Sequence, residues 1–249
     1  MKKTARFWFI LALLASVLLS SCQATTKKVR VVMDATWPPF ETLDETTKLP
    51  IGFDVDLMNA IAQKEGLQIE FVNVPFDSAL TGLSQCQYDA AISAITITDE
   101  RKKTMLFSDP YFAAGQIVTV NINNANIKSK DDLSGKKVGA MLGTTGAIEA
   151  ENLPGVKYSA YDTIDQAFLD VMNGQIDAVI ADNPLAIGFV GKNPTKIKTV
   201  GDVFTDENYG IAVCNKQADL LTKINAGLAA VKADGQVDAL VKKWLASSN

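Results

Sequence analysis

Between residues 29 and 97 the chain alternates short β-branched runs with one-faced helical stripes, and this alternation constrains the fold more than any other feature. Val29 to Met33 and Ile69 to Val74 read as strands. Gly52-Phe53-Asp54 opens a helix with Leu57, Met58, Ile61 and Ala62 at helical spacing, stopped at Gly66. Pro75-Phe76-Asp77 turns into a second helix, capped at Asp77, with Ala79, Leu80 and Leu83 on one face, and Asp89 to Ile97 is the next strand. A β-α-β-α-β order implies a mainly parallel sheet covered by helices on both faces, the α/β class. Ala114 to Val120 is then extended, Asn121 to Lys130 is polar, and a fresh set begins. Lys137 to Met141, Val156 to Tyr161 and Ile176 to Ala181 are its strands. Helices are expected near Ala147, over Thr163 to Asn173, and over Asn183 to Val190. Asn208 to Val213 is a second extended crossing, and two amphipathic helices finish the chain. A lobe that is interrupted by another and then resumed needs two crossings, and two such strands make a hinge.

Several kinds of chemistry are excluded early. The 249 residues contain no histidine, which removes Ser-His-Asp, Cys-His and HExxH sites. Lys2, Lys3 and Arg6 precede a mostly apolar run from Phe7 to Leu19, too short to span a bilayer, and the run closes on Ser20-Ser21-Cys22. This is a secretory leader over residues 1–21, and its ending resembles a lipobox in which Cys22 is acylated. Residues 22–28 then form a polar tether, and the mature protein sits on a membrane without crossing it. Losing the three leader cations takes the formal net charge from −4 to −7, which argues against nucleic acid as a partner. Cys86 and Cys214 lack CxxC spacing; they are either buried thiols or one disulfide, and thiols are favoured.

The ligand is placed at Ala91 to Arg101. The run is apolar, turns polar at Ser93 and Thr96, and reaches Thr98-Asp99-Glu100, an N-cap with an acidic first turn. Arg101 in that turn opposes the helix dipole, so an anion should compensate it; a guanidinium beside hydroxyls and free helix N–H groups suits a carboxylate. Asp34 and Trp37 follow the first strand, at the carboxyl end where α/β sheets place ligands. Phe76 either staples its helix through Leu80 or faces Trp37 across a pocket. Gly143-Thr144-Thr145-Gly146 matches neither GxGxxG nor the P-loop, but suits an anion-binding turn nearly as well as a merely tight one.

Taken together, Trp37-Pro38-Pro39-Phe40, Gly52-Phe53-Asp54-Val55-Asp56-Leu57, Ile95 through Arg101, Phe107-Ser108-Asp109-Pro110-Tyr111, Asp132-Leu133-Ser134-Gly135-Lys136 and Asp177-Ala178 leading to Asp182 carry a resemblance. The chain resembles amino-acid-binding members of the bacterial extracellular solute-binding proteins, family 3, which feed ABC importers. It is most similar to those for glutamine and for lysine, arginine and ornithine. The resemblance implies a periplasmic-binding-protein-like type II fold, with lobe 1 over residues 29–114 and 209–249, lobe 2 over 115–208, and a two-strand hinge. It implies closure on one free L-amino acid, with Arg101 and the N–H groups near Thr96 and Thr145, beside Thr144, on the carboxylate. Asp182, the Ser93 carbonyl and the Thr96 hydroxyl would take the ammonium. Trp37 and Phe76 would sandwich the side chain, and Asp34 would receive its polar end. Ala94 stands where basic-amino-acid binders have serine and Met141 where the glutamine binder has lysine, so neither specificity is matched fully. The expected partners are the ligand and the membrane permease subunits, for a monomer without cofactor or metal. The competing expectation is a cyclohexadienyl dehydratase-like enzyme on the same fold, with Asp34 as general acid.

Overall fold

A computed structural model describes residues 28–245; the expected leader and Cys22 lie outside them. The chain first builds β1 (Val29–Met33), β2 (Thr36–Trp37), β3 (Glu41–Leu43), β4 (Pro50–Ile51), α1 (Phe53–Glu65) and β5 (Ile69–Asn73). It continues through α2 (Phe76–Ser84), β6 (Ala90–Ala91), α3 (Asp99–Lys102) and β7 (Met105–Phe107). A crossing strand, β8 (Phe112–Ala114), leads into β9 (Gln116–Asn121), β10 (Lys137–Met141), α4 (Thr145–Asn152) and β11 (Lys157–Tyr161). Then come α5 (Ile164–Met172), β12 (Ala178–Asp182), α6 (Asn183–Lys192) and β13 (Ile197–Val200). The return strand is β14 (Glu207–Tyr209), followed by β15 (Ala212–Cys214), α7 (Ala218–Ala233) and α8 (Gln236–Trp244).

These elements form two five-stranded sheets, ordered β5-β1-β6-β15-β7 and β11-β10-β12-β9-β13. In each, the first three strands are parallel and the fourth runs antiparallel. The antiparallel fourth strand is in both cases the one arriving from the other lobe: β9 follows β8, and β15 follows β14. The crossings pair with each other, Glu207 opposite Ala114 and Tyr209 opposite Phe112, as a two-stranded ribbon between the lobes. An aromatic cluster seats this ribbon on lobe 1. Phe40 meets Phe112 and Tyr209 edge-on, both at 5.3 Å between ring centroids, and Phe112 stacks on Tyr209 at 5.9 Å; such pairs add roughly 0.5–1.5 kcal/mol each beyond burial.

Helices α1 and α5 bury the stripes expected of them, whereas the stripe of α8 is only partly buried. Leu57, Met58, Ile61 and Ala62 of α1 are buried, and Gly66 ends the helix in the left-handed conformation. Ile164, Ala167, Phe168 and Val171 do the same for α5. Two sequence expectations need correction. The strand expected over Asp89 to Ile97 is regular only at Ala90–Ala91, because Ala94 takes a positive φ of 46° and turns the chain out of the sheet. And α2 begins at Phe76 after a Pro75 cap, two residues earlier than an Asp77 cap would allow.

The favoured thiols are also overturned, since Cys86 and Cys214 form a disulfide with Cα atoms 5.1 Å apart. Spacing in sequence could not show this, because β15 re-enters the first sheet only after the whole second lobe. The bond closes a loop of sequence separation 128, for which chain-entropy arguments give about 5 kcal/mol of stabilisation at most. Such a bond belongs to an oxidising compartment.

Candidate functional site

The site is assembled from the carboxyl ends of parallel strands, where a doubly wound sheet leaves a crevice. β1 leads into β2, which carries Trp37; β6 leads to Ser93, Ala94 and Thr96, β10 ends at Met141 ahead of Thr144 and Thr145, and β12 ends at Asp182. With Phe76 and Arg101, these ten residues surround one small cavity between the lobes. Trp37 and Phe76 thus lie on the same cavity, and the Trp37 Nε1 donor is buried with no partner among the described residues.

Arg101 is held by its own helix. Thr98 caps α3 by accepting the Arg101 N–H at 3.1 Å, which leaves the side chain to reach the cavity. The guanidinium donates from Nη1 to the Thr96 carbonyl at 2.7 Å and from Nη2 across the cleft to the Gly143 carbonyl at 3.0 Å. It also lies over the Phe76 ring, 5.6 Å from the centroid. A guanidinium has five N–H donors, and among the described residues no carboxylate pairs with this one directly. Burial pulls its pKa below the ordinary arginine value, against the opposing pull of Asp182 and Glu207. A partly buried cation resting on neutral carbonyls is a site for an anion.

Asp182 is the opposite pole. It is 3% exposed and accepts from the Gln116 amide and the Tyr209 hydroxyl. Burial and the nearby Glu207 carboxylate raise its pKa to about 6, although those two hydrogen bonds and Arg101 draw it down. Glu207, on the ribbon strand β14, accepts from Thr96 Oγ1 at 2.7 Å and from Thr145 Oγ1 at 2.8 Å. It therefore ties a hydroxyl of each lobe to the hinge, and the Thr96 hydroxyl, expected to face an ammonium, donates to Glu207. Glu207, Gln116 and Tyr209 escaped the reading of the sequence. The one available signal was an acidic residue immediately before the extended run from Asn208.

Asp34 stands apart from the other candidates. Its Oδ2 accepts the Phe76 N–H at 2.9 Å, its Oδ1 accepts the Thr36 hydroxyl at 2.8 Å, and its own N–H donates to Ser93 Oγ at 3.0 Å. Burial raises its pKa, and its carboxylate oxygens tie the loop after β1 to the start of α2. In this arrangement it orients Trp37 and Phe76, and it does not line the cavity with them.

Two hinged lobes closing a polar crevice between a fixed cation and a fixed anion define a binding protein for a small zwitterion. Residues 29–247 match the bacterial extracellular solute-binding proteins, family 3, and the chain belongs to that family. It is 35% identical over 258 residues to a probable histidine-binding protein of Neisseria gonorrhoeae, covering 96% of this chain and 95% of the relative. It is 35% identical over 239 residues to the ABC transporter arginine-binding protein 1 of Escherichia coli K12, covering 94% and 96%. Among solved structures it is similar to an ancestral arginine-binding protein bound to arginine, with 43% identity, a TM-score of 0.83, and coverage of 87% of this chain and 97% of that one. These relatives are named as binding proteins, not as enzymes of the dehydratase kind.

Proposed function

We propose that this protein is the substrate-binding component of an ABC importer, that it closes on one free L-amino acid with a polar or cationic side chain, arginine or glutamine, and that lipid on Cys22 anchors it to a membrane outside the cytoplasm, in the periplasm or at the cell surface. The observation that carries the reading is Arg101, a cavity-lining cation with no directly paired carboxylate among the described residues, set opposite the buried Asp182. The α-carboxylate takes the remaining guanidinium donors and the free N–H groups at the start of α4, and the α-ammonium takes Asp182. The aromatic faces of Trp37 and Phe76 suit the flat guanidinium or amide of the side chain. Ligand touching both lobes stabilises the closed form by its differential affinity, and that closed form is what permease subunits recognise.

A thermal-shift screen of the common amino acids tests this directly. At 100 times its dissociation constant the right ligand adds about 2.7 kcal/mol, and arginine or glutamine should head the series. No shift with any amino acid would end the reading. Anchoring is checked separately, by incorporation of labelled fatty acid that Cys22→Ser abolishes.

The site also predicts a pH dependence. The ammonium needs Asp182 ionised, and its folded pKa of about 6 means that protonation takes over as pH falls below that value. The apparent dissociation constant should therefore rise about tenfold per pH unit on the acid side and level off above it. Calorimetry between pH 4.5 and 8 measures this, and Asp182→Asn should bind weakly with no acid limb. A wild-type affinity flat down to pH 4.5 would contradict the assignment of Asp182.

A further inference from the structure

Behind Ser93 and Ala94 sit two carboxyl groups that the ligand site does not use. Glu41 on β3 and Asp54 in the first turn of α1 are both 0% exposed. One oxygen of each is accounted for. Glu41 Oε1 accepts from the Ser93 hydroxyl at 2.7 Å, while Asp54 Oδ2 accepts both the Ala94 N–H at 2.7 Å and the Tyr111 hydroxyl at 2.8 Å. The other oxygens, Glu41 Oε2 and Asp54 Oδ1, are buried with no donor, and the two side chains lie within hydrogen-bonding reach of each other.

Two buried neighbouring carboxyl groups, each with an oxygen that has no donor, are costly as two anions, and one proton between them would repair both. Asp54 already holds two donors and is the better anion, so Glu41 is the better acid. The titratable groups facing the pair are Asp34, Tyr111 and Tyr209; none of these is a cation that could offset a second negative charge. Burial accordingly pushes Glu41 well above the ordinary carboxylate range and Asp54 up to about 7.

We propose that Glu41 and Asp54 hold one proton between them, Glu41 Oε2 donating to Asp54 Oδ1, and that the pair is a positioning unit fixing the Ser93–Ala94 floor of the ligand site. Ala94 keeps a left-handed backbone, φ 46°, which an alanine does not adopt freely. The Asp54 carboxylate holds the Ala94 N–H in that conformation. Ser93 relays the other half, receiving the Asp34 N–H at 3.0 Å and donating to Glu41. The affinity consequences rest on the amino-acid-binding reading above, whereas the shared proton does not.

The decisive measurement is an infrared comparison of the intact protein with Glu41→Gln at neutral pH. The wild type should show the C=O stretch of a protonated carboxylic acid, and Glu41→Gln should lack it. In that variant the amide N–H replaces the acid O–H, so binding of the amino acid found by the screen should stay within about threefold of wild type, whereas Glu41→Ala strands the Asp54 oxygen and should weaken it about tenfold or more. Absence of the acid band from the wild type, or a loss in Glu41→Gln equal to that in Glu41→Ala, overturns the proposal. If the wild type binds no amino acid, the functional reading fails, and the infrared band still decides the proton.

Discussion

Arg101→Ala is expected to weaken amino-acid binding by about a thousandfold while leaving the protein folded. Losing a desolvated, charge-assisted pair leaves the ligand carboxylate buried without its counter-charge, and truncations of that kind cost about 4 kcal/mol. The fold has little at stake, because the guanidinium accounts for only two hydrogen bonds, to the Thr96 and Gly143 carbonyls. The Thr98 cap of α3 uses the Arg101 backbone and survives the substitution. Calorimetry with the ligand identified by screening reads the loss, and circular dichroism with thermal unfolding reads the fold. Micromolar binding retained by a folded Arg101→Ala protein would remove the central claim about the site. Arg101→Lys is a finer version of the same experiment: it keeps the charge, loses the planar fork, and should fall between wild type and alanine.

The second large effect is on stability. Gly52 has φ 141° with ψ −179°, a conformation essentially restricted to glycine. A Cβ there would lie 2.0 Å from the Phe40 carbonyl oxygen and 2.6 Å from its carbon, both backbone atoms that cannot step aside cheaply. That same carbonyl accepts the Asp54 N–H at 3.0 Å, so displacing it disturbs the start of α1 and the buried acid behind the ligand floor. Gly52→Ala should therefore cost more than about 4 kcal/mol, which for a chain of this size lowers the melting temperature by about 10 °C or more. Gly66→Ala is the control. Its φ is 61° and nothing lies within 4 Å of the added carbon, so only the left-handed backbone is penalised, by roughly 1–2 kcal/mol. Equal melting points for the two variants would show that the close approach at Gly52 is not the constraint it is taken to be.

How much of this was visible beforehand depends on how local the determinants are. The helical stripes of α1 and α5, the Thr98 cap and the strand ends at Met33, Met141 and Asp182 depend on a few neighbouring residues, and each could be read from the chain. So could the convergence of Trp37, Phe76, Arg101, Thr145 and Asp182, because the carboxyl ends of parallel strands meet at one crevice wherever the sequence order is β-α-β. What stayed hidden is set by contacts between distant segments. Glu207 acts through Thr96 and Thr145, residues 111 and 62 positions away, and nothing near it in sequence announces either partner. Cys86 finds Cys214 for the same reason, at a separation of 128. Ala94 broke the expected strand because Asp54, forty residues earlier, supplies a carboxylate for its N–H. Asp34 was placed correctly at the end of its strand, but an aspartate that caps a loop and one that greets a ligand look alike until their donors are known.

The interrupted path of lobe 1 bears on the order in which the molecule can be made. β15 is the only strand bonded to β7 in the first sheet and joins it to β6, yet it is contributed by residues 212–214, after all of lobe 2 has been synthesised. The inserted lobe is contiguous and has every sheet strand in hand by residue 200, so it can mature first. The earlier segment lacks the strand between β6 and β7 until residues 212–214 follow. A chain cut between Val200 and Ala212 would hold every strand of the second sheet and lack the strand that joins β7 to the first.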